Sequence, residues 1–190
     1  ELAEAYLRVG LVQGQPAGPS LGDLAGAERS YARAIDIAGA VTQEHPGDLR
    51  ALRTLALAHE KMGDVKAWTG SVEEGVGHAR TALRLYEAIA AQFPDSVRHQ
   101  RSVAISRVKL GDLTGHPVFP NLGRLDEALA HYSAALLLLQ RSPLAREPDW
   151  NTRRYRALVE ERMAMMHRSS GRLDESLAAY QRSLEQRRAL

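Results

Sequence analysis

Two neighbouring stretches of the sequence carry the same pattern of cations with an aliphatic residue between them. The matching pairs are Arg50/Arg98, Arg53/Arg101, Leu57/Ile105 and Lys61/Lys109. Spacings of three and four residues place such side chains on one face of a helix. Arginine can hold a carboxylate with two parallel hydrogen bonds, and a cleft of one charge sign concentrates the electric field. The pattern therefore favours a surface that binds an extended acidic peptide or a free carboxyl terminus.

Arg8, near the start of the chain, occupies the position that matches Lys61 and Lys109. The candidate peptide-binding residues are then Arg8, Arg50, Arg53, Leu57, Lys61, Arg98, Arg101, Ile105 and Lys109. The alternative is a solvated face whose cations are held by ion pairs with carboxylates such as Glu60 and Asp95. Both interpretations stay open at this point.

A repeated pattern of small residues and tyrosines predicts the helices that position these side chains. Residues 10–34 match residues 111–135 without a gap, at an offset of 101. Small residues at these spacings let two helices approach closely, and a tyrosine fills the seam between them. The identical pairs are Gly10/Gly111, Gly14/Gly115, Pro16/Pro117, Pro19/Pro120, Leu21/Leu122, Gly22/Gly123, Leu24/Leu125, Ala27/Ala128, Tyr31/Tyr132 and Ala34/Ala135.

Two further units repeat the pattern less closely. Leu55-Ala56-x-x-His59 and Met163-Ala164-x-x-His167 correspond to Leu2-Ala3-x-x-Tyr6 at the start of the chain. These motifs resemble tetratricopeptide repeats, in which helix pairs of roughly 34 residues stack side by side. The resemblance implies an all-α, right-handed superhelical solenoid of antiparallel helix pairs. We expect one solenoid domain over residues 1–190, with units of about 1–47, 48–94, 95–148 and 149–190.

The predicted elements depart from an ordinary repeat in their loops. Asp23 and Asp48 are suitable N-caps for helices that reach about Glu44 and Met62, and Asp149 is suitable for the last pair. Insertions are expected at Gly10–Gly22, Gly63–Gly75 and Gly111–Gly123, and a break is expected at Ser142–Pro148. The loops Gly10–Gly22 and Gly111–Gly123 contain prolines and have two possible roles. Each could present a short polyproline segment to a partner, or it could pack on its own helix pair with Leu21 or Leu122 as the anchor.

A narrower resemblance rests on LGDLAGAERSYARAIDI, LRTLALAHEKMGDV and the loop Gly-x-Pro-x-x-Pro-x-Leu-Gly. These stretches are similar to the repeat regions attached to bacterial serine/threonine protein kinases. That resemblance implies a cytoplasmic regulatory or scaffolding region of a larger signalling protein, with a protein or peptide as its ligand. The sequence itself contains no glycine-rich phosphate loop, His-Arg-Asp loop or Asp-Phe-Gly motif, so we do not expect this segment to be an enzyme.

Several other classes of site are disfavoured by composition. The chain has no cysteine, and its seven histidines never fall four residues apart, so neither a thiolate site nor a helical pair of metal-binding histidines is expected. Aromatic residues make up 5% of the chain, too few for the stacking platforms of nucleic-acid binding. No apolar run approaches the ~20 residues of a membrane span. We expect no cofactor, no nucleic-acid partner and no membrane insertion by this segment.

An apolar stripe on the last predicted helix suggests an alternative function. Leu177, Tyr180 and Leu184 form an apolar stripe after which no further helix is evident. Because solenoids need polar units at their ends, the sequence is interpreted as a segment of a longer protein. The alternative to peptide binding is a structural module that self-associates as a homodimer through this uncapped C-terminal helix.

Overall fold

The protein is described here by a computed structural model, which covers residues 1–16, 18–141 and 149–188. Within these ranges the chain is all-helical and has no strand, as predicted. Residues Glu1–Ile89 and Ala90–Leu190 form two compact units. The helices are α1 (Leu2–Gln13), α2 (Leu24–Glu44), α3 (Leu49–Trp68), α4 (Val72–Gln92), α5 (Val97–Gly115), α6 (Leu125–Leu139), α7 (Trp150–Ser169) and α8 (Leu173–Arg188).

Helices that are neighbours in sequence are also neighbours in space within each unit. In the first unit α1 packs on α2 and α2 on α3, while in the second α5 packs on α6, α6 on α7 and α7 on α8. A second, smaller set of contacts joins α1 with α3 and α5 with α7. The helices that carry the candidate cations therefore contact the first helix of a neighbouring pair: α3 contacts α1, and α5 contacts α7.

Side-chain caps fix the starts of the helices. Asp23, Asp48 and Asp149 accept hydrogen bonds from backbone N–H groups three residues further on, at 2.8, 3.0 and 2.7 Å. These three starts confirm the prediction. Ser96 is the N-cap of α5, and its hydroxyl accepts a hydrogen bond from the backbone N–H of His99 at 3.4 Å.

The insertion predicted at Gly63–Gly75 is wrong. Helix α3 continues to Trp68 and α4 begins at Val72, so only a short turn separates them. A Cβ on Gly63 would lie 2.9 Å from the carbonyl oxygen of Gly75. These glycines are helical residues that let two backbones approach closely, and the sequence interpretation mistook them for loop residues.

The two proline loops are shorter than predicted, because α1 reaches Gln13 and α5 reaches Gly115. Each loop folds back on the end of its own first helix. The backbone N–H of Leu21 donates to the carbonyl of Val12 at 2.9 Å, and the backbone N–H of Leu122 donates to the carbonyl of Leu113 at 3.2 Å. Leu21 is 78% exposed, so the prediction that it anchors its loop is wrong. The break predicted at residues 142–148 lies outside the described residues.

The predicted seam residues form the cores of the two units. Tyr31 and Tyr132 are 1% and 0% exposed, and the alanines three and four positions from them are fully buried. Each ring lies against a glycine of the preceding helix, since a Cβ on Gly10 or Gly111 would lie 2.5 or 2.7 Å from the tyrosine Cε1. This close approach explains why glycine occupies the same helical position in both units.

Candidate functional site

In the first unit, Arg50 is tied to a carboxylate from another helix. Its Nε donates to Oε1 of Glu4 and its Nη2 donates to Oε2, both at 2.6 Å, so that α3 is bridged to α1. The Arg50 side chain remains 60% exposed, whereas that of Glu4 is 24% exposed. The hydrogen bond from Arg50 lowers the pKa of the Glu4 carboxyl from its ordinary value.

The other predicted residues of this unit vary in exposure. Lys61 is largely buried and lies 3.3 Å from Glu60 and 3.9 Å from Asp64. Leu57 is half-buried and packs against the core cluster that contains Tyr31. Arg53 is half-buried on α3, and Arg8 is exposed on α1. The unit thus offers two exposed cations, Arg8 and Arg50, and the half-buried Arg53 lies between Arg50 and Leu57 on α3.

In the second unit, Arg101, which matches Arg53 in the repeat, bridges α5 to the start of α7. Its Nη1 donates to Oδ2 of Asp149 at 2.5 Å and to the hydroxyl of Thr152 at 3.4 Å. Asp149 also caps α7, and the backbone N–H of Thr152, followed by Arg101, lowers the pKa of its carboxyl. Arg98 is exposed, and Ile105 and Lys109 are half-buried on the same helix.

The predicted cations therefore lie on helices that touch within each unit, and several of them already hold protein carboxylates. Glu60, which the sequence analysis named as a possible partner of the cations, lies beside Lys61. The sequence did not anticipate Glu4 or Asp149, which lie 46 and 48 residues from their partners. The spacing of residues within one helix does not indicate a pair between two helices. Only an alignment of the repeats would suggest that these residues are neighbours.

A small cleft adjoins the first of these bridges. It has a volume of about 80 Å³ and is bounded by α1, α2 and α3, with Glu4, Arg50, Val41 and Thr54 among its lining residues. Small-molecule sites usually have a volume of several hundred Å³. The cleft therefore suits one side chain of a ligand rather than a whole cofactor.

Two polar clusters were missed by the sequence interpretation. In the first unit, Nδ1 of His59 lies 2.9 Å from Nδ1 of His78, and burial lowers the pKa of His59 to about 4. In the second, the hydroxyl of Tyr132 donates to Asp112 at 2.7 Å, and Nε of Arg162 lies 3.1 Å from the same carboxylate. The second cluster joins α5, α6 and α7 through one carboxylate.

Searches for other kinds of site in the described ranges gave two findings. No group of three or more His, Cys, Asp or Glu side chains in residues 1–16, 18–141 and 149–188 is placed to hold a metal ion. A bilayer-spanning helix would need a long apolar run, and the described helices contain none.

Comparison with models of known protein families found no match, and a search of curated proteins found no significant match either. The repeat-like architecture of this chain is therefore described from its internal sequence repeats and its helix contacts alone.

Proposed function

We propose that this chain is a protein-binding helical-repeat module that recognises acidic peptides or carboxyl termini. In this proposal the chain is a solenoid of antiparallel, tetratricopeptide-type helix pairs. It acts in the cytoplasm as the regulatory or scaffolding region of a larger signalling protein, and it has no catalytic role of its own.

The observation that supports this proposal most strongly is the bidentate contact between Arg50 and Glu4. A carboxylate already sits on this surface in the geometry that a peptide carboxylate would adopt. In the second unit Arg101 also holds a carboxylate, through a single contact of its Nη1 with Asp149. In each unit, an acidic ligand would take the place of the internal carboxylate, and Leu57 in the first unit or Ile105 in the second would contact its aliphatic side chain.

Exposed ion pairs are weak enough to be exchanged for ligand contacts. Such pairs typically contribute about 0.2–1 kcal/mol, because solvent and salt screen them. In each pair one partner is accessible and the other is largely covered: Arg50 is 60% and Glu4 24% exposed, while Asp149 is 46% and Arg101 17% exposed. A ligand that offers several carboxylates can therefore compete with one internal carboxylate at each site.

The test uses a peptide of alternating Glu and Leu with a free carboxyl terminus, titrated by isothermal calorimetry. Arg53→Glu/Arg101→Glu should weaken binding by about tenfold or more, since each change turns a proposed contact with the acidic peptide into repulsion. A Lys/Leu peptide of the same length should not bind.

The matched control is Arg29→Glu/Arg33→Glu, which makes the same charge change at exposed positions of α2. Circular dichroism must show equal helicity for both double variants. If both weaken binding equally, the attraction depends only on net charge and the proposed surface is wrong. Unchanged binding in Arg53→Glu/Arg101→Glu would also refute it.

A further inference from the structure

The loop between α5 and α6 packs against α7 through three side chains. His116 follows the end of α5 and is 1% exposed, and the centre of its ring lies 4.8 Å from the centre of the Phe119 ring. The guanidinium carbon of Arg162, on α7, lies 5.1 Å from the centre of the same Phe119 ring. We call His116, Phe119 and Arg162 the loop latch, because they join residues 116–122 to the next helix pair.

Hydrogen bonds at His116 hold the loop in this closed form. The backbone N–H of Val118 donates to Nδ1 of His116 at 3.3 Å, so the ring is neutral and carries its proton on Nε2. The side-chain amide of Asn121 donates to the carbonyls of His116 and Phe119, at 2.9 and 2.7 Å. Nε2 of His116 is buried and meets no hydrogen-bond partner among the described protein residues. The closed loop therefore accommodates a neutral imidazole and offers a charged one no acceptor.

The charges around His116 also disfavour a second cation. Arg162 acts on it from α7, and Asp112 of α5 lies one helical turn before it. That carboxylate already contacts Nε of Arg162 at 3.1 Å and accepts from the hydroxyl of Tyr132, on α6, at 2.7 Å. Because Arg162 and Asp112 balance each other, the charge of an imidazolium would be left uncompensated. Burial, followed by the charge of Arg162, lowers the pKa of His116 to about 4.

The matching loop of the first unit lacks this latch. At the offset of 101, Gln15 stands in place of His116 and Gly18 in place of Phe119. The backbone N–H of Leu21 nevertheless bonds to the end of α1 at 2.9 Å, as in the second unit. A histidine is therefore not needed for such a loop to fold back on its helix, and a glutamine is compatible with its position.

We infer that the loop latch is released by a proton: protonation of His116 breaks its bond with the N–H of Val118, and repulsion from Arg162 frees residues 116–122 from α7. A protonated Nδ1 is a donor and can no longer accept a hydrogen bond. In the open loop the exposed imidazole has its ordinary pKa of about 6.5, so the open form binds more protons than the closed form below that pH. The latch is thus fully closed above pH 6.5, and each pH unit from there towards 4 raises the ratio of open to closed loop by up to about tenfold.

The test is amide hydrogen exchange, followed by NMR on the whole chain at pH 7 and pH 5. The amide of Leu122, which donates to the carbonyl of Leu113, should lose protection by about tenfold or more at pH 5, after correction for the intrinsic exchange rate. The amide of Leu21, in the loop without a histidine, should keep its protection. His116→Gln, which introduces the residue of the first loop, should abolish the effect at Leu122.

Three results would overturn the proposal. One is an equal loss of protection at Leu122 in the wild type and in His116→Gln, and another is a loss at Leu21 as large as that at Leu122, since the change would then be general. The third comes from the wild type alone and does not depend on how the variant folds. If the imidazole protons of His116 titrate near pH 6.5 in the folded protein, the closed loop tolerates the charge and no latch exists.

Discussion

The contact between Gly111 and Tyr132 gives a prediction whose sign opposes ordinary helix propensity. Gly111 lies inside α5, where alanine would normally be preferred by about 0.5–1 kcal/mol. A Cβ at this position, however, would lie 2.7 Å from Cε1 of Tyr132 and 3.0 Å from both Cδ1 and Cζ. We therefore expect Gly111→Ala to lower the free energy of unfolding.

The size of the effect depends on whether the ring can move. Tyr132 is fully buried, and its hydroxyl is held by Asp112 at 2.7 Å, so the ring is fixed at both ends. Overpacking of a filled core costs typically about 1–3 kcal/mol. After the gain in propensity is subtracted, Gly111→Ala should destabilise the protein by about 1–2 kcal/mol.

Urea denaturation followed by circular dichroism measures this difference, and Gly39→Ala is the matched control. Gly39 lies inside α2, and a Cβ there would meet no atom within 4 Å. It should therefore stabilise the protein by about 0.5–1 kcal/mol through propensity alone. If Gly111→Ala stabilised the protein as Gly39→Ala does, the account of a filled seam would be refuted.

Two further predictions concern the polar clusters. Tyr132→Phe removes the hydrogen bond to Asp112, so it should lower the free energy of unfolding by about 0.5–1.5 kcal/mol in urea denaturation. Tyr31→Phe should lower it by less, because the hydrogen bond from the Tyr31 hydroxyl to a backbone carbonyl is 3.5 Å long. The pKa of His59 is lowered to about 4, mainly by burial and then by the charge of His78, so the unfolded chain binds more protons between pH 6.5 and 4. Stability from this residue should be present above pH 6.5 and fall by roughly 3 kcal/mol towards pH 4. In His59→Gln that part of the pH dependence should be absent, and an unchanged slope would contradict the assignment.

Much of the fold could be predicted because its signals are local. Asp23, Asp48 and Asp149 precede apolar periodic segments, and a capping side chain needs only the next three residues. Tyr31 and Tyr132 recur at one offset with their flanking alanines, which identifies a buried seam without any knowledge of the neighbouring helix. These residues are buried as predicted.

The helix ends and the ion pairs could not be predicted in the same way. Gly63 and Gly75 look like loop residues, because only the approach of a second backbone makes glycine necessary inside a helix. The partners of Arg50 and Arg101 belong to other helices, and a single sequence gives no distance between them. The cations of the candidate surface could thus be chosen by residue type and spacing. The carboxylates of Glu4 and Asp149 that pair with them could not.

The direct test of peptide binding at this surface is to remove the carboxylates that would compete with the ligand. Glu4→Gln releases Arg50, and Asp149→Asn releases Arg101 while an asparagine still caps α7. Isothermal calorimetry with the Glu/Leu peptide should show binding tightened by roughly two- to fivefold for each change, because the internal carboxylate no longer competes for the arginine. Binding that is unchanged or weakened in the double variant would contradict the claim that these cations form the binding surface.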